Sequence, residues 1–409
     1  MRILAITLRY PPYVEGGYEI LTHDALQDLR QRGHSVGILC GQGTDYPIDQ
    51  SIYATLQPAL DDAQSLFESD RKSGALARLR MHFFRLANYR ATQAAIADFK
   101  PDLVLYFNLG LVSLAPLIAA RRRGVPTLGY LCDKWIENQW LLDEGKKPHK
   151  RGRVFLMRRV WSRLRGFAKI SPALCASRWL KEHLVSSGVP ASGLGVLHTG
   201  LSPTMERLAR ANDSVLSRAP KQALQIICTS MLWDGKGQHV LVEAFGQAVT
   251  AGLDARLVLA GSEPGGQQYR ERLDTLAQAA GVAQRIEFVG MLSPEELSAQ
   301  LSSSHVFVLP SIWGEPFGLC TIEAMAHGLC TVVTNSGASH ELVEDAGIIV
   351  ATNSVEAIRE VLLKVGSDEA ERGRLGCLAR ERALEHFGRS NYIDGLETAC
   401  NSAAGHSPN

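Results

Sequence analysis

Short apolar runs of strand length alternate with helical stretches along this chain, and the alternation runs twice. Arg2–Leu8, Val36–Cys40, Leu103–Phe107, Thr127–Leu131, Ala173–Ala176 and Gly195–His198 read as strands in the first half. Gln225–Ser230, Arg256–Ala260, Ile286–Val289, His305–Leu309 and Thr331–Thr334 repeat the scheme in the second. Strands joined by helical crossovers close into parallel sheets covered by helices on both faces. A chain of 409 residues also exceeds what one core ordinarily supports. The prediction is an α/β protein of two Rossmann-like domains: residues 1–200, a linker over 201–222, and residues 223–385. Gly200–Pro220 is polar, Pro-bearing and weakly periodic, as a linker would be. Asp368–Cys400 reads as long and helical, and 386–409 is set apart as a terminal helix. In open sheets of this kind ligands bind beyond the carboxyl ends of the strands, so the loops there carry the chemistry.

One such loop is Pro310-Ser311-Ile312-Trp313-Gly314-Glu315-Pro316-Phe317-Gly318-Leu319-Cys320-Thr321-Ile322-Glu323-Ala324-Met325-Ala326. It follows a short apolar run, breaks at Pro and two Gly, and continues as a small-residue helix from Thr321 to His327. A strand–loop–helix of this kind aims free backbone N–H groups and the positive end of a helix dipole at whatever sits before Gly318, which suits a phosphate. Glu315 lies just outside that point. Glu323 lies about one turn inside the helix, roughly 7 Å further on at ~1.5 Å per residue. A nucleotide-sugar laid along the segment would put its hexose at Glu315, its phosphates at Gly318, Leu319 and Cys320, and its ribose near Glu323.

Pro-Ser-x-x-Glu-Pro-Phe-Gly followed by Glu-Ala-Met-Ala-x-Gly resembles the E-x7-E signature of family-4 retaining glycosyltransferases, whose GT-B architecture sets two facing Rossmann-like domains together. The resemblance implies that Glu315 contacts the donor sugar and Glu323 the ribose, with Phe317 to Cys320 along the donor. It also implies that the C-terminal helix crosses back onto the first domain. Arg9 to Glu19, with Gly16 and Gly17 after the first strand, resembles the loop that approaches the donor diphosphate and frames the acceptor. A dinucleotide fingerprint would need G-x-G-x-x-G there, and it is absent. Thr229 to Gln238 resembles the Gly-Arg-Leu-x-x-x-Lys-Gly element that holds the diphosphate. Lys236 matches, while Met231 stands in the Arg position. A compact ammonium between two Gly suits a phosphate better than a core.

Two more departures bear on the sugar and acceptor. Cys132 stands where many members have a His that contacts the transferred sugar, and Asp133 follows it. A thiol is a poor partner for a hydroxyl, so Asp133 and Trp135 become candidates for sugar or acceptor contacts, against the alternative that Asp133 caps a helix. His198-Thr199-Gly200-Leu201-Ser202 replaces the usual Pro-Asn-Gly-Val-Asp. Gly290 and Met291, with Ala260 to Glu263, match loops flanking the nucleotide base. Glu341 reads as structural.

Lys plus Arg number 43 against 42 Asp plus Glu, which argues against nucleic acid as the main partner. The eight Cys form no C-x-x-C pair, and several, such as Cys40, Cys228 and Cys330, sit in apolar strand-like runs and read as buried free thiols of a reducing compartment. No apolar run reaches the ~20 residues that span a bilayer, and Met1–Leu8 lacks a signal-peptide core. The expected location is cytoplasmic, or peripheral at the inner face of the membrane. Lys146–Lys169 holds ten Lys or Arg and no Asp or Glu. It reads either as a helix with a solvated basic face or as a peripheral contact for an anionic membrane or a lipid-pyrophosphate acceptor.

The expected function is a retaining, metal-independent transfer of a hexose from a nucleotide-diphosphate sugar, UDP favoured, to a hydroxyl of a glycan, lipid-linked glycan or glycoside. Glu315, Lys236 and Asp133 are the catalytic candidates; no cofactor and no metal ligand is assigned, since no D-x-D triplet occurs. The resemblance implies no protein nucleophile. A GT-B epimerase or phosphorylase, or a non-catalytic sugar-nucleotide binder, stays open as an alternative.

Overall fold

The computed structural model describes residues 1–14, 16–43, 45–46, 51–58, 84–140, 170, 172–212, 223–263 and 267–405. The basic segment 146–169 and residues 213–222 of the expected linker lie outside the described residues. The chain divides into two units, Met1–His198 with Ile393–Asn409, and Thr199–Tyr392.

The first unit is built on strands β1 (Arg2–Ile6), β2 (Ser35–Gly41), β3 (Ile52–Leu56), β4 (Leu103–Tyr106), β5 (Thr127–Leu131), β6 (Ala173–Cys175) and β7 (Leu194–Val196). They form one parallel sheet in the order β3-β2-β1-β4-β5-β6-β7. Ile3, Leu4, Ala5 and Ile6 are all buried. A continuous apolar run rather than an alternating one is what a strand covered on both faces requires. The returning segment is held by charge: Arg32 reaches Asp394 at 2.6 Å and Glu397 at 2.7 Å, and His34 Nε2 reaches Glu397 at 2.7 Å.

The second unit carries β8 (Leu224–Thr229), β9 (Ala255–Ala260), β10 (Ile286–Gly290), β11 (Val306–Leu309), β12 (Cys330–Thr334) and β13 (Ile348–Val350). Its parallel sheet has the order β10-β9-β8-β11-β12-β13. In each sheet the order reverses once, between β1 and β4 and between β8 and β11. In open sheets of this kind, such a reversal is where ligands bind, beyond the carboxyl ends of the strands.

Several elements differ from the sequence reading. β3 and β13 were not anticipated; β13 is only three residues long and finds its place through pairing with β12. Pro203–Ala211, inside the expected linker, is a helix. Ser202 Oγ accepts from Met205 N at 3.1 Å, Pro203 occupies the first turn, and Met205 and Ala209 bury one narrow stripe. The stretch after Asp368 is two helices, Glu369–His386 and Arg389–Ala403, parted at buried Phe387 and Gly388. Cys40, Cys175, Cys228, Cys330 and Cys400 are buried free thiols.

Candidate functional site

Lys236 is placed by a turn that has no freedom to move. After β8 the chain runs through Trp233 into a single turn, Asp234–Lys236, and then the Gln238–Thr250 helix. Gly237 has φ +71°, and a Cβ there would lie 2.1 Å from the Pro310 carbonyl oxygen. Only glycine combines that conformation with that approach. The Gly235 carbonyl accepts from Ile312 N at 2.9 Å and Trp313 N at 3.0 Å. Buried Gln238 ties the incoming loop down, donating to Ser230 Oγ and the Met231 carbonyl, both at 2.9 Å. The lysine loop after β8 is therefore fastened to the loop after its sheet neighbour β11.

That fastening brings Lys236 to Glu315. The ammonium donates to Oε1 at 2.7 Å and to Oε2 at 3.0 Å, and Ser311 Oγ donates to Oε1 at 2.5 Å. Glu315 is 3% exposed. From the far side Ala338 N donates to the Glu315 carbonyl at 2.8 Å, and a Cβ at Gly337 would lie 2.1 Å from the Glu315 nitrogen. Burial pulls the Lys236 pKa down, but the Glu315 carboxylate outweighs it, and the net direction is up. Lys236 therefore stays charged at neutral pH. A buried ion pair of this kind is costly to desolvate and adds little net stability, so a site function accounts for it better than fold stability does.

The helix after Glu315 runs Leu319–Ala326, beginning earlier than the sequence pattern indicated, with Gly318 as an N-cap that offers no side chain. Leu319 and Cys320 thus form its first turn, where N–H groups have no intrahelical acceptor. Thr321 Oγ1 is buried there without a hydrogen-bond partner. Burial pushes the Cys320 thiol up to about 12, which leaves it inert as a nucleophile. The Phe317 ring is buried edge-on to Phe387 at 5.9 Å, so it shapes the loop from below. At the helix end His327 Nδ1 donates to the Glu323 carbonyl and Nε2 accepts from Ser298 Oγ, both at 2.8 Å.

Glu323 differs from Glu315: among the described residues no donor reaches its carboxyl, and burial pushes its pKa up from 4.5 to about 7. The folded form therefore holds a proton that the unfolded chain has released. Its contribution to stability is complete below about pH 4.5 and is lost as pH rises through about 7. A ligand that donates hydroxyls to this carboxyl stabilises its ionised form and lowers the pKa again. Nucleotide binding near pH 6 is expected to release up to about one proton, and binding near pH 8.5 almost none. Titration calorimetry in buffers of differing ionisation enthalpy measures this. Proton uptake, or no linkage at all, would remove the hydroxyl contact.

The loops after β8, β9 and β10 are interlocked by backbone bonds, Leu232 N to the Ser262 carbonyl and Gly261 N to the Gly290 carbonyl, both at 2.8 Å. Met231 and Met291 stand out of them, 38% and 63% exposed. The side chain at the expected Arg position thus faces solvent.

In the first unit the glycine pair is less open than expected. Gly17 is already the first residue of the Gly17–Gln31 helix, and the Gly16 amide donates to Glu19 Oε2 at 3.0 Å. An anion reaching this turn would share it with that carboxylate. Tyr18 and Tyr13 are structural: Tyr18 donates to the Tyr130 carbonyl at 2.9 Å, and Tyr13 lies 3.1 Å from Asp45 Oδ2. Asp133 Oδ1 accepts from Trp135 N at 2.5 Å at the start of the Trp135–Trp140 helix, while Oδ2 lies 3.5 Å from Asn108 Nδ2. Burial raises the Asp133 pKa to about 6, with the Trp135 amide opposing. Asp133 thus accepts from the start of the helix and is also a half-buried titratable group after β5. Asn108 and Ser311 were not anticipated. Ser311 was legible as the serine four residues before Glu315; nothing in the sequence marked Asn108.

Two family profiles cover most of the chain: "Glycosyl transferase 4-like domain" matches residues 16–200 and "Glycosyl transferases group 1" residues 210–382. A GDP-mannose-dependent monoacylated alpha-(1-6)-phosphatidylinositol monomannoside mannosyltransferase of Corynebacterium glutamicum is 30% identical over 38% of this chain and 41% of its own length. A GDP-mannose-dependent alpha-(1-6)-phosphatidylinositol monomannoside mannosyltransferase of Mycobacterium tuberculosis is 27% identical over 50% of this chain and 55% of its own length. The match therefore spans about half the length of these curated relatives. Among solved structures, a glycosyltransferase from Rickettsia africae superposes with a TM-score of 0.71 at 17% identity, covering 99% of both chains. Anabaena HepE in complex with UDP and glucose gives 0.67 at 20% identity, over 98% of this chain and 100% of that one.

Proposed function

This chain belongs to the family-4 glycosyltransferases, and from that premise we propose that it moves a hexose from a nucleotide-diphosphate sugar to an acceptor hydroxyl, with retention and without a metal. The observation that carries the reading is the buried Lys236–Glu315 pair, at 2.7 Å and 3.0 Å, beside the uncapped helix start at Gly318. Glu315 would accept the hexose hydroxyls. Lys236 and the N–H groups of Leu319 and Cys320 would take the charge that builds on the departing diphosphate. Glu323 would hold the ribose, and the Gly290–Met291 loop would border the base. Following the family resemblance, Asp133 would contact the sugar or acceptor. With no protein nucleophile assigned, a donor phosphate oxygen would deprotonate the acceptor on the face the leaving group departs from.

The sequence reading favours UDP, while the two mannosyltransferase relatives are named for GDP-mannose, so both bases belong in the first assay. The same names support a lipid-linked glycan as acceptor. Among the described residues no helix is long and apolar enough to cross a membrane.

A thermal-shift panel of UDP-, GDP- and dTDP-sugars tests the donor class: a donor at ~100 times its dissociation constant adds roughly 2.7 kcal/mol of stability. Nucleoside diphosphate release that depends on an added acceptor alcohol identifies a transferase; release without acceptor, or binding without release, rejects it. Activity is expected to persist in excess EDTA, because no D-x-D triplet is present to clamp a divalent ion between the phosphates. Abolition by EDTA with rescue by Mg²⁺ or Mn²⁺ would overturn the metal-free mechanism.

A further inference from the structure

Ser311 is fully buried at the end of β11, and its hydroxyl lies near three acceptors: Glu315 Oε1 at 2.5 Å, the Trp313 carbonyl at 3.1 Å and the Gly235 carbonyl at 3.2 Å. A serine hydroxyl has one hydrogen to donate. The carboxylate oxygen is both the nearest acceptor and the charged one, so it takes that hydrogen. Thr334 Oγ1 donates to the Ser311 carbonyl at 2.6 Å and fixes the backbone beneath.

The two oxygens of Glu315 are consequently unlike. Among the described residues, Oε1 receives both Ser311 and Lys236, whereas Oε2 receives Lys236 alone, at the longer 3.0 Å. Oε2 is therefore the oxygen with spare acceptor capacity for a hexose hydroxyl. Lys236 has a divided task, since two of its three hydrogens lie on Glu315 and a leaving diphosphate draws on the same charge. As that charge grows, the ammonium is pulled from the carboxylate, and a carboxylate 3% exposed cannot turn to water instead. The Ser311 hydroxyl, which carries no charge and is anchored to the strand end, is not drawn away.

We propose that Ser311 is a positioning residue of the transfer: its hydroxyl grips Glu315 Oε1, aims Oε2 at the hexose, and keeps the carboxylate in place while Lys236 turns to the leaving diphosphate. The inference rests on the reading of Glu315 as the sugar-binding carboxylate and Lys236 as the phosphate cation.

The test is a double-mutant cycle of Ser311→Ala and Glu315→Gln, with binding of free nucleoside diphosphate measured by calorimetry to count folded sites. Ser311→Ala is expected to lower kcat about tenfold per folded site, with less than about twofold change in the dissociation constant of the diphosphate. In the Glu315→Gln background it is expected to cost less than about twofold more, because it acts through Glu315. A packing role would instead cost the same factor in both backgrounds; that result, or wild-type kcat in Ser311→Ala, would overturn the proposal. Wild-type kcat in Glu315→Gln alone would remove Glu315 from the reaction and take the proposal with it, a failure distinguishable from the first.

Discussion

Replacing Lys236 by methionine is expected to lower turnover by at least about a hundredfold, ~2.7 kcal/mol in barrier, and to cost the second unit about 3 kcal/mol of stability. The two effects have separate causes. On the proposed reading, turnover falls because the diphosphate loses a side-chain cation held in the same loop cluster as the helix start at Gly318, and charge on that group is greatest in the transition state. The effect therefore falls on kcat more than on KM. Stability falls because Glu315 stays buried when its partner is gone, and stranding one half of a buried pair costs about 3–5 kcal/mol. The grip of Ser311 holds the loss to the lower end. Methionine keeps the length of the stem, so packing changes little. Adding Met231→Arg in this background is expected to recover part of the rate, since Met231 is exposed on the same loop and not committed to a core. Wild-type turnover in Lys236→Met, measured per folded molecule, would leave Lys236 outside the reaction; no rescue by Met231→Arg would mean that position 231 does not reach the phosphates.

Glu315→Gln is expected to lower turnover about tenfold to a hundredfold and to reduce the affinity for the sugar donor toward that for the free nucleoside diphosphate. The amide keeps the shape but turns one acceptor oxygen into a donor, which then faces either Lys236 or Ser311, both donors themselves. Hydroxyl recognition at the hexose suffers. The free diphosphate should bind as well as to the wild type or better, because an ammonium no longer neutralised by Glu315 is available to it. Calorimetry with donor and free diphosphate side by side distinguishes this from general damage, which would weaken both.

The parts of the site that the sequence made legible are those dictated by local backbone chemistry. Gly318 before a small-residue helix, Lys236 between two glycines and Glu315 in a Pro/Gly loop each announce a strand end turning into a helix. The pairing of Lys236 with Glu315 is different in kind. It spans 79 positions and exists because β8 and β11 are sheet neighbours, and strand order is set by the packing of whole layers. The same limit hid β13, whose three residues depend on β12. The Pro203–Ala211 helix is only nine residues long and sits in a polar, Pro-bearing stretch, although its Ser202 cap and Pro203 were visible in the sequence. At Gly16 the resemblance implies a loop that approaches the donor diphosphate, while the structure shows Glu19 on its amide. A carboxylate three residues into the helix was visible in the sequence as a capping partner.

The contact of Gly237 with the Pro310 carbonyl and of Gly337 with the Glu315 backbone also bears on how such a site can change. Two turns that admit no added carbon hold the backbone next to the lysine and at the carboxylate, so a side chain at either glycine would displace that backbone. Adaptation to a different donor must then come from positions that hang free of those turns. Met231 and Met291 are such positions, exposed at the tips of loops whose backbones are interlocked beneath them. On the proposed reading, a library randomised at these two residues would explore donor choice while leaving Lys236 and Glu315 where they are; one that reaches into either glycine turn tests mainly whether the protein still folds.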